Sequence, residues 1–259
     1  MLGAIAGDII GSAWGASGEK RFDFPLFTAR SRFTDDTVMT VAVAHALLDE
    51  RDYGAMMRDY GRRYPFVGYG AHFHRWLSDP AIGAYGSYDN GAATRASPVG
   101  FAAVSADDAL AEAERSALPT HNHPQGIRGA QAIALAVYLA RSGEEKDAIR
   151  RELMARFGYA LDRTVEETRP GYRLQRAAER SVPEAIISFL DAEDFESAVR
   201  NAVSLGGDAD TMACIAGAIA EAYFGGVPDG IAAEVQDRLP PDLLLVTERF
   251  ARRYGLAGE

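Results

Sequence analysis

Cysteine is nearly missing: Cys214 is the only one in 259 residues. One thiol cannot form a disulfide within the chain, and its place in an apolar run reads as a buried structural residue. Basic residues are also short, with 27 Lys and Arg against 37 Asp and Glu and a net charge of −10. Such a surface repels phosphate backbones and excludes generic nucleic-acid binding. No apolar run reaches the roughly eighteen residues that span a bilayer, so no membrane span is expected. The first residues lack a basic segment, and Asp8 interrupts their apolar run, which excludes a signal peptide and predicts a cytoplasmic protein. There is no Ser/Gly/Pro-rich linker, no low-complexity stretch and no internal repeat. Period-two alternation is absent, and with it any strand.

What is present is helical periodicity in a chain that is 47% hydrophobic. That is enough for one large core, so residues 1–259 read as a single domain. The pattern predicts helices at Leu2 to Ala16, Asp35 to Glu50, Tyr53 to Tyr64, His72 to Leu77 and Ala106 to Leu118. Others follow at Gly129 to Ala140, Lys146 to Phe157, Tyr172 to Leu190, Phe195 to Leu205, Met212 to Phe224 and Leu243 to Tyr254. The sum is an all-α, compact multi-helix bundle. Glycines at 3, 7, 11 and 15 recur about once per turn. They give the first helix a flat face that another helix or a ligand can approach closely.

Two acidic motifs stand before long apolar segments. Thr34-Asp35-Asp36-Thr37 precedes Val38 to Leu48, and Gly206-Gly207-Asp208-Ala209-Asp210-Thr211 precedes Met212 to Phe224. Both place carboxylates at N-termini of buried helices, where free N–H groups and the helix dipole stabilise anions. Residue chemistry leaves two readings. Asp and Thr are ordinary N-cap residues. Brought together, the same residues would repel unless a cation neutralised them, and all-oxygen ligands favour Mg²⁺, Mn²⁺ or Ca²⁺.

Asp79 to Ser97 reads as a long loop, and its segment Gly86 to Arg95 is rich in glycine and small polar residues. It is either a plain surface loop or one whose N–H groups and hydroxyls hold a diphosphate. His121-Asn122-His123-Pro124 lacks further cysteine or histidine partners, which argues against zinc. His121 reads as a ligand-contacting side chain that caps a helix starting near Pro124. Trp14 and Trp76 read as packing residues.

Five motifs in order carry a family resemblance: Gly7-Asp8-Ile9-Ile10-Gly11-Ser12, Thr34-Asp35-Asp36-Thr37, Ser87-Tyr88-Asp89-Asn90-Gly91-Ala92-Ala93, Thr120-His121-Asn122-His123-Pro124 and Gly206-Gly207-Asp208-Ala209-Asp210-Thr211. With these, the chain resembles the ADP-ribosylglycohydrolases, which include the nitrogenase-reductase-activating glycohydrolase and ADP-ribosylarginine hydrolase. The resemblance implies a compact all-α fold and two divalent cations, Mg²⁺ or Mn²⁺. It implies metal ligands at Thr34, Asp35, Asp36, Asp208, Asp210 and Thr211, with Asp35, Asp36 and Asp210 also catalytic. Substrate contacts fall at Gly86, Ser87, Tyr88, Asn90, Gly91 and His121. The implied reaction cleaves the glycosidic bond between ADP-ribose and a modified protein or small ADP-ribosyl compound, with arginine as the foremost linkage. The alternatives are a serine, nucleobase or O-acyl linkage, or a metal- and ADP-ribose-binding module with little turnover.

Two departures from the family pattern bear on this. Gly15 stands where many members carry a glutamate that assists hydrolysis of ADP-ribosylserine, and Glu19 or Asp23 are the nearby replacements. Asp89 stands where a glycine is common, adding a carboxylate beside the expected diphosphate.

Overall fold

The computed structural model describes residues 1–15 and 18–256. Its helices in chain order are α1 (Leu2–Ser12), α2 (Asp35–Leu48), α3 (Tyr53–Arg63), α4 (Ala71–Ser78), α5 (Gly91–Thr94), α6 (Ser97–Ala102), α7 (Ala106–Ala117) and α8 (Pro124–Arg141). They continue as α9 (Lys146–Phe157), α10 (Val165–Thr168), α11 (Ala178–Leu190), α12 (Phe195–Ser204), α13 (Ala209–Phe224), α14 (Asp229–Gln236) and α15 (Pro241–Arg253). Among the described residues the only β pairing is an isolated bridge between Asp89 and Ala177. None of the described helices is long and apolar enough to cross a membrane.

The centre of the bundle is an antiparallel pair, α1 and α13. The glycines of α1 explain why they pack so closely. A Cβ on Gly3 would lie 2.4 Å from the Gly217 carbonyl oxygen, one on Gly7 1.9 Å from that of Ala213, and one on Gly11 2.4 Å from that of Ala209. Real Cβ atoms cannot occupy those positions, so backbone meets backbone along three turns. Helices α2, α8, α11 and α12 wrap this pair, and their inward faces, such as Val41, Ile133, Ile186 and Val199, are wholly buried. Glu221, the one charge in the apolar run of α13, accepts from the backbone N–H groups of Leu2 at 3.1 Å and Gly3 at 2.8 Å. It therefore satisfies orphan donors at the start of α1.

Several boundaries differ from the sequence reading. The first helix stops at Ser12 rather than Ala16, and Ala16 lies outside the described residues. The predicted loop from Asp79 to Ser97 contains α5 and leads into α6, and Ala92, Ala93, Thr94 and Arg95 are buried. The predicted helix from Tyr172 begins only at Ala178, because Arg176 and Ala177 are spent on the preceding loop. The Arg176 carbonyl accepts from Asn90 N–H at 2.8 Å, and Ala178 N–H donates to the Tyr88 carbonyl at 3.0 Å. Helices α10 and α14 have no counterpart in the periodicity. The helix at Gly129 to Ala140 extends back to Pro124, and its cap is His123, whose Nδ1 accepts from Gln125 N–H at 3.2 Å. Trp14 and Trp76 are buried, Trp14 against Phe24 and Trp76 against Phe73.

Candidate metal centre and flanking loops

The antiparallel register sets the C-terminal half of α1 against the N-terminus of α13, and α2 starts beside both. Asp8, on α1, is fully buried. Its Oδ2 accepts from Thr34 N–H at 2.8 Å and Thr37 N–H at 3.2 Å. The Thr34 hydroxyl donates to Oδ1 at 2.6 Å, and the Thr37 hydroxyl donates to Oδ2. One side chain of α1 thus anchors the entry of α2. Across the gap, the Thr211 hydroxyl on α13 donates to Asp36 Oδ2 at 2.9 Å. Asp208 Oδ2 accepts from Asn90 Nδ2 at 3.2 Å, which ties the glycine-rich loop to the same cluster.

Capping accounts for only part of this chemistry. Thr34 is the N-cap of α2 and accepts from Asp36 N–H at 3.2 Å. Asp208 occupies the N-cap position of α13, yet its side chain makes no capping bond. Asp35 and Asp210 stand in the first helical turns, and Asp210 Oδ1 accepts from the neighbouring Thr211 N–H at 3.0 Å.

The aspartates perturb one another. Burial, with the field of Asp210, pushes Asp8 up to about 6, and burial with the fields of Asp8, Asp210 and Asp208 takes Asp35 to about 7. Asp36 is raised well above the carboxylate range, by burial and then by Asp35, Asp8 and Asp210. Burial and Asp210 carry Asp208 to about 6, against the relief given by Asn90 and Arg176. Among the described residues, no three His, Cys, Asp or Glu side chains are drawn together into a closed ligand cluster. The donors are nonetheless all oxygen and share a negative field that Arg176 relieves only in part, which suits a hard divalent cation.

The flanking loops carry the other candidate residues. Ser87 N–H donates to the Thr120 carbonyl at 3.2 Å, which joins the Gly86–Gly91 segment to the His121 segment. Gly86 has φ 69°, a conformation that glycine tolerates best. Tyr88 is exposed and packs edge-on against His123. Asn90 is buried between Ser181 and Asp208. His121 is buried and does not cap α8, whose cap is His123, and a Cβ on Gly91 would lie 3.8 Å from its Nε2. Asp89 is exposed, and Arg176 is the cation beside it.

Gly15 borders the acids: a Cβ there would lie 3.7 Å from Asp210 Oδ1, in ordinary contact. Glu19 does not fill that place as an acid. Its carboxylate accepts from Arg21 Nη2 at 2.8 Å, from Arg21 N–H at 2.8 Å and from Lys20 N–H at 3.0 Å, and Arg21 holds it down to about 2. Asp23 is exposed.

Tyr69 and Arg95 stand out in no motif, and Asp8 and Thr120 lie in family motifs without a site role of their own. Tyr69 has a buried hydroxyl without a partner among the described residues, and it feels the charge of Asp35. The one visible signal was for Asp8, a lone carboxylate in a helix of small apolar residues. Apart from the acids, a cavity of about 670 Å³ opens between the starts of α8 and α11, with Arg128, Arg163, Arg173 and Arg180 on its walls.

The family model for ADP-ribosylglycohydrolase matches residues 1–258. The chain belongs to the ADP-ribosylglycohydrolase family. It is similar to ADP-ribosylhydrolase ARH3 of Homo sapiens, 33% identical over 257 aligned residues that cover 74% of this chain and 71% of that protein. ADP-ribosylhydrolase ARH3 of Bos taurus is 34% identical, covering 74% and 70%. A solved structure described as an ADP-ribosylglycohydrolase-related protein complex superposes with a TM-score of 0.70 at 27% identity, covering 98% of this chain and 95% of that one. This family member is an ADP-ribosylglycohydrolase with the family's all-α fold.

Proposed function

We propose that this ADP-ribosylglycohydrolase uses two divalent cations, Mg²⁺ or Mn²⁺, and prefers ADP-ribosylarginine. The observation that carries the metal reading is that Thr211 of the second acidic motif donates to Asp36 of the first, beside the buried Asp8 that Thr34 and Thr37 hold, while Asp208 makes no capping bond. Asp35, Asp36, Asp208 and Asp210, with Thr34 and Thr211, are the residues that would hold the cations. Such cations supply Lewis acidity at the ribose hydroxyls and at water.

The protein's own groups do the rest. The Gly86–Gly91 segment, with Ser87, Tyr88 and Asn90, receives the diphosphate on its hydroxyls and on N–H groups other than those of Ser87 and Asn90, which the Thr120 and Arg176 carbonyls hold, and His121 bounds it. Asp35, Asp36 and Asp210 face the developing positive charge of an oxocarbenium-like transition state and accept the proton of the attacking water. Oxygen joins C1″ as the bond to the leaving group breaks.

Gly15 supports the arginine preference. An arginine guanidinium departs as a neutral guanidine and takes up a proton from solvent. A serine departs as an alkoxide unless an acid delivers a proton, and Gly15 carries no acid of its own beside Asp210 while Glu19 is held ionised. The second reading, a binding module with little turnover, draws on the same missing glutamate.

Release of ADP-ribose from arginine- and serine-linked peptides, measured with Mg²⁺ and with chelator, separates these readings. Mg²⁺-dependent release, faster from arginine, supports the proposal. Faster release from serine removes the arginine preference. Calorimetric binding of ADP-ribose with no release from any peptide leaves the binding module.

A further inference from the structure

Arg95 is one of the largest fully buried side chains in the molecule, with 1% of its surface exposed. Its guanidinium bonds neutral acceptors: Thr120 Oγ1 at 2.8 Å, the Gly91 carbonyl at 3.3 Å and the Ser116 carbonyl at 3.4 Å. Thr120, also fully buried, stands 2.7 Å from His121 Nδ1. His121 Nε2 is buried without a partner among the described residues, and it faces the start of α5 at Gly91.

The protons in this chain can be placed by elimination. A guanidinium only donates, so Thr120 Oγ1 accepts from Arg95. The remaining contact of Oγ1 is His121 Nδ1. If Nδ1 carried the ring proton, the threonine hydroxyl would have no acceptor in a site closed to water. The hydroxyl therefore donates to Nδ1, and the neutral ring carries its proton on Nε2. Burial and the nearby Arg95 charge both keep the ring from taking a second proton.

We propose that Arg95 is a positioning residue that, through Thr120, locks His121 as an Nε2–H donor aimed at an acceptor oxygen of the ligand at Gly91. Resting on the reading under Proposed function, this assigns His121 to a phosphate oxygen. It excludes a metal ion or a ligand N–H as the partner of Nε2, because neither accepts a hydrogen bond. Arg95 acts from behind the loop and touches no ligand. Only a fork of fixed geometry reaches Gly91, Ser116 and Thr120 together, so lysine is not an equivalent.

The test is long-range ¹H–¹⁵N correlation spectroscopy on histidine-labelled full-length protein, free of ligand, near pH 7. The wild type should show His121 with a protonated Nε2 and a bare, hydrogen-bonded Nδ1. Thr120→Val and Arg95→Lys should mix or reverse the tautomer, and Thr120→Ser should restore it. Calorimetry with inorganic pyrophosphate and with ADP-ribose should show an affinity loss of about ten-fold in Thr120→Val, from one weakened charge-assisted bond. Circular dichroism confirms that each variant is folded. A wild-type ring protonated on Nδ1, or a tautomer unchanged in both Thr120→Val and Arg95→Lys, overturns the relay. The expected tautomer with no wild-type affinity for pyrophosphate or ADP-ribose overturns the donor role and the functional reading, and leaves the relay itself intact.

Discussion

Asp208→Asn gives a sharp test of whether the acids are a strained binding site or a set of helix caps. Asp208 is raised from 3.8 to about 6 in the folded protein, with burial and then Asp210 as the causes. A carboxylate raised on folding binds its proton more tightly in the native state. The native state is therefore favoured while that proton is present, and stability falls as pH rises from about 4, the unfolded value, through about 6. A two-unit rise corresponds to about 3 kcal/mol, and partial exposure to water reduces this to about 2 kcal/mol. Asparagine removes the charge and can still accept from Asn90 Nδ2 through its own oxygen. In chelator at pH 7.5 the variant should be about 2 kcal/mol more stable than wild type, near 4 °C in melting temperature for a chain of this size. At pH 4 the two should melt together. Adding Mg²⁺ at pH 7.5 should raise the wild type and leave the variant nearly unmoved. Melting by circular dichroism under these three conditions decides the matter. A variant that melts below wild type in chelator at pH 7.5 would falsify the strain argument and support a structural role.

The same sign is expected at Asp8, which burial and Asp210 raise to about 6. The oxygen of an Asp8→Asn amide can keep the Thr34 and Thr37 N–H groups while its NH₂ faces the Thr34 hydroxyl, which can also accept, so denaturant melts in chelator at pH 7.5 should show stability held or raised. Gly7→Ala puts a methyl 1.9 Å from the Ala213 carbonyl oxygen and should cost about 3 kcal/mol or prevent folding, read by thermal melting. Gly15→Glu has room for its Cβ at 3.7 Å from Asp210, so it should fold and narrow the gap between arginine- and serine-linked peptides in the release assay.

The helices and the two acidic motifs were legible because both signals are local. Periodicity reports a buried face, and Asp-x-Thr before an apolar run reports a helix start. Legibility failed where a distant partner decides. Tyr172 to Ala177 has helical periodicity, but Asn90 and Tyr88 claim the backbone of Arg176 and Ala178. The stretch from Asp79 to Ser97 is loop-like in composition, but burial folds its second half into α5 and the start of α6. His121 and His123 are two residues apart, and backbone direction makes His123 the cap and turns His121 inward. Asp8 was visible only as an interruption. Its meaning needed Thr34 and Thr37, which lie more than twenty residues away.

The glycine register of α1 links fold to site. Gly3 meets Gly217, Gly7 meets Ala213 and Gly11 meets Ala209, each step moving one turn toward the start of α13. The next glycine in the series, Gly15, lies beyond the end of α1 and borders Asp210 instead of a carbonyl. The contact that seals the core therefore ends at the acids. Any residue with a Cβ at 3, 7 or 11 would part the two helices, and Asp8 would leave the field of Asp210 that raises it. Close packing is thus the force that holds mutually repelling carboxylates together. Loosening α1 against α13 should relieve the repulsion and weaken divalent-ion binding together. A mild packing variant such as Ala213→Ser, if folded, offers the check: calorimetric Mg²⁺ affinity that falls with its melting temperature supports this coupling, and unchanged affinity at a lowered melting temperature refutes it.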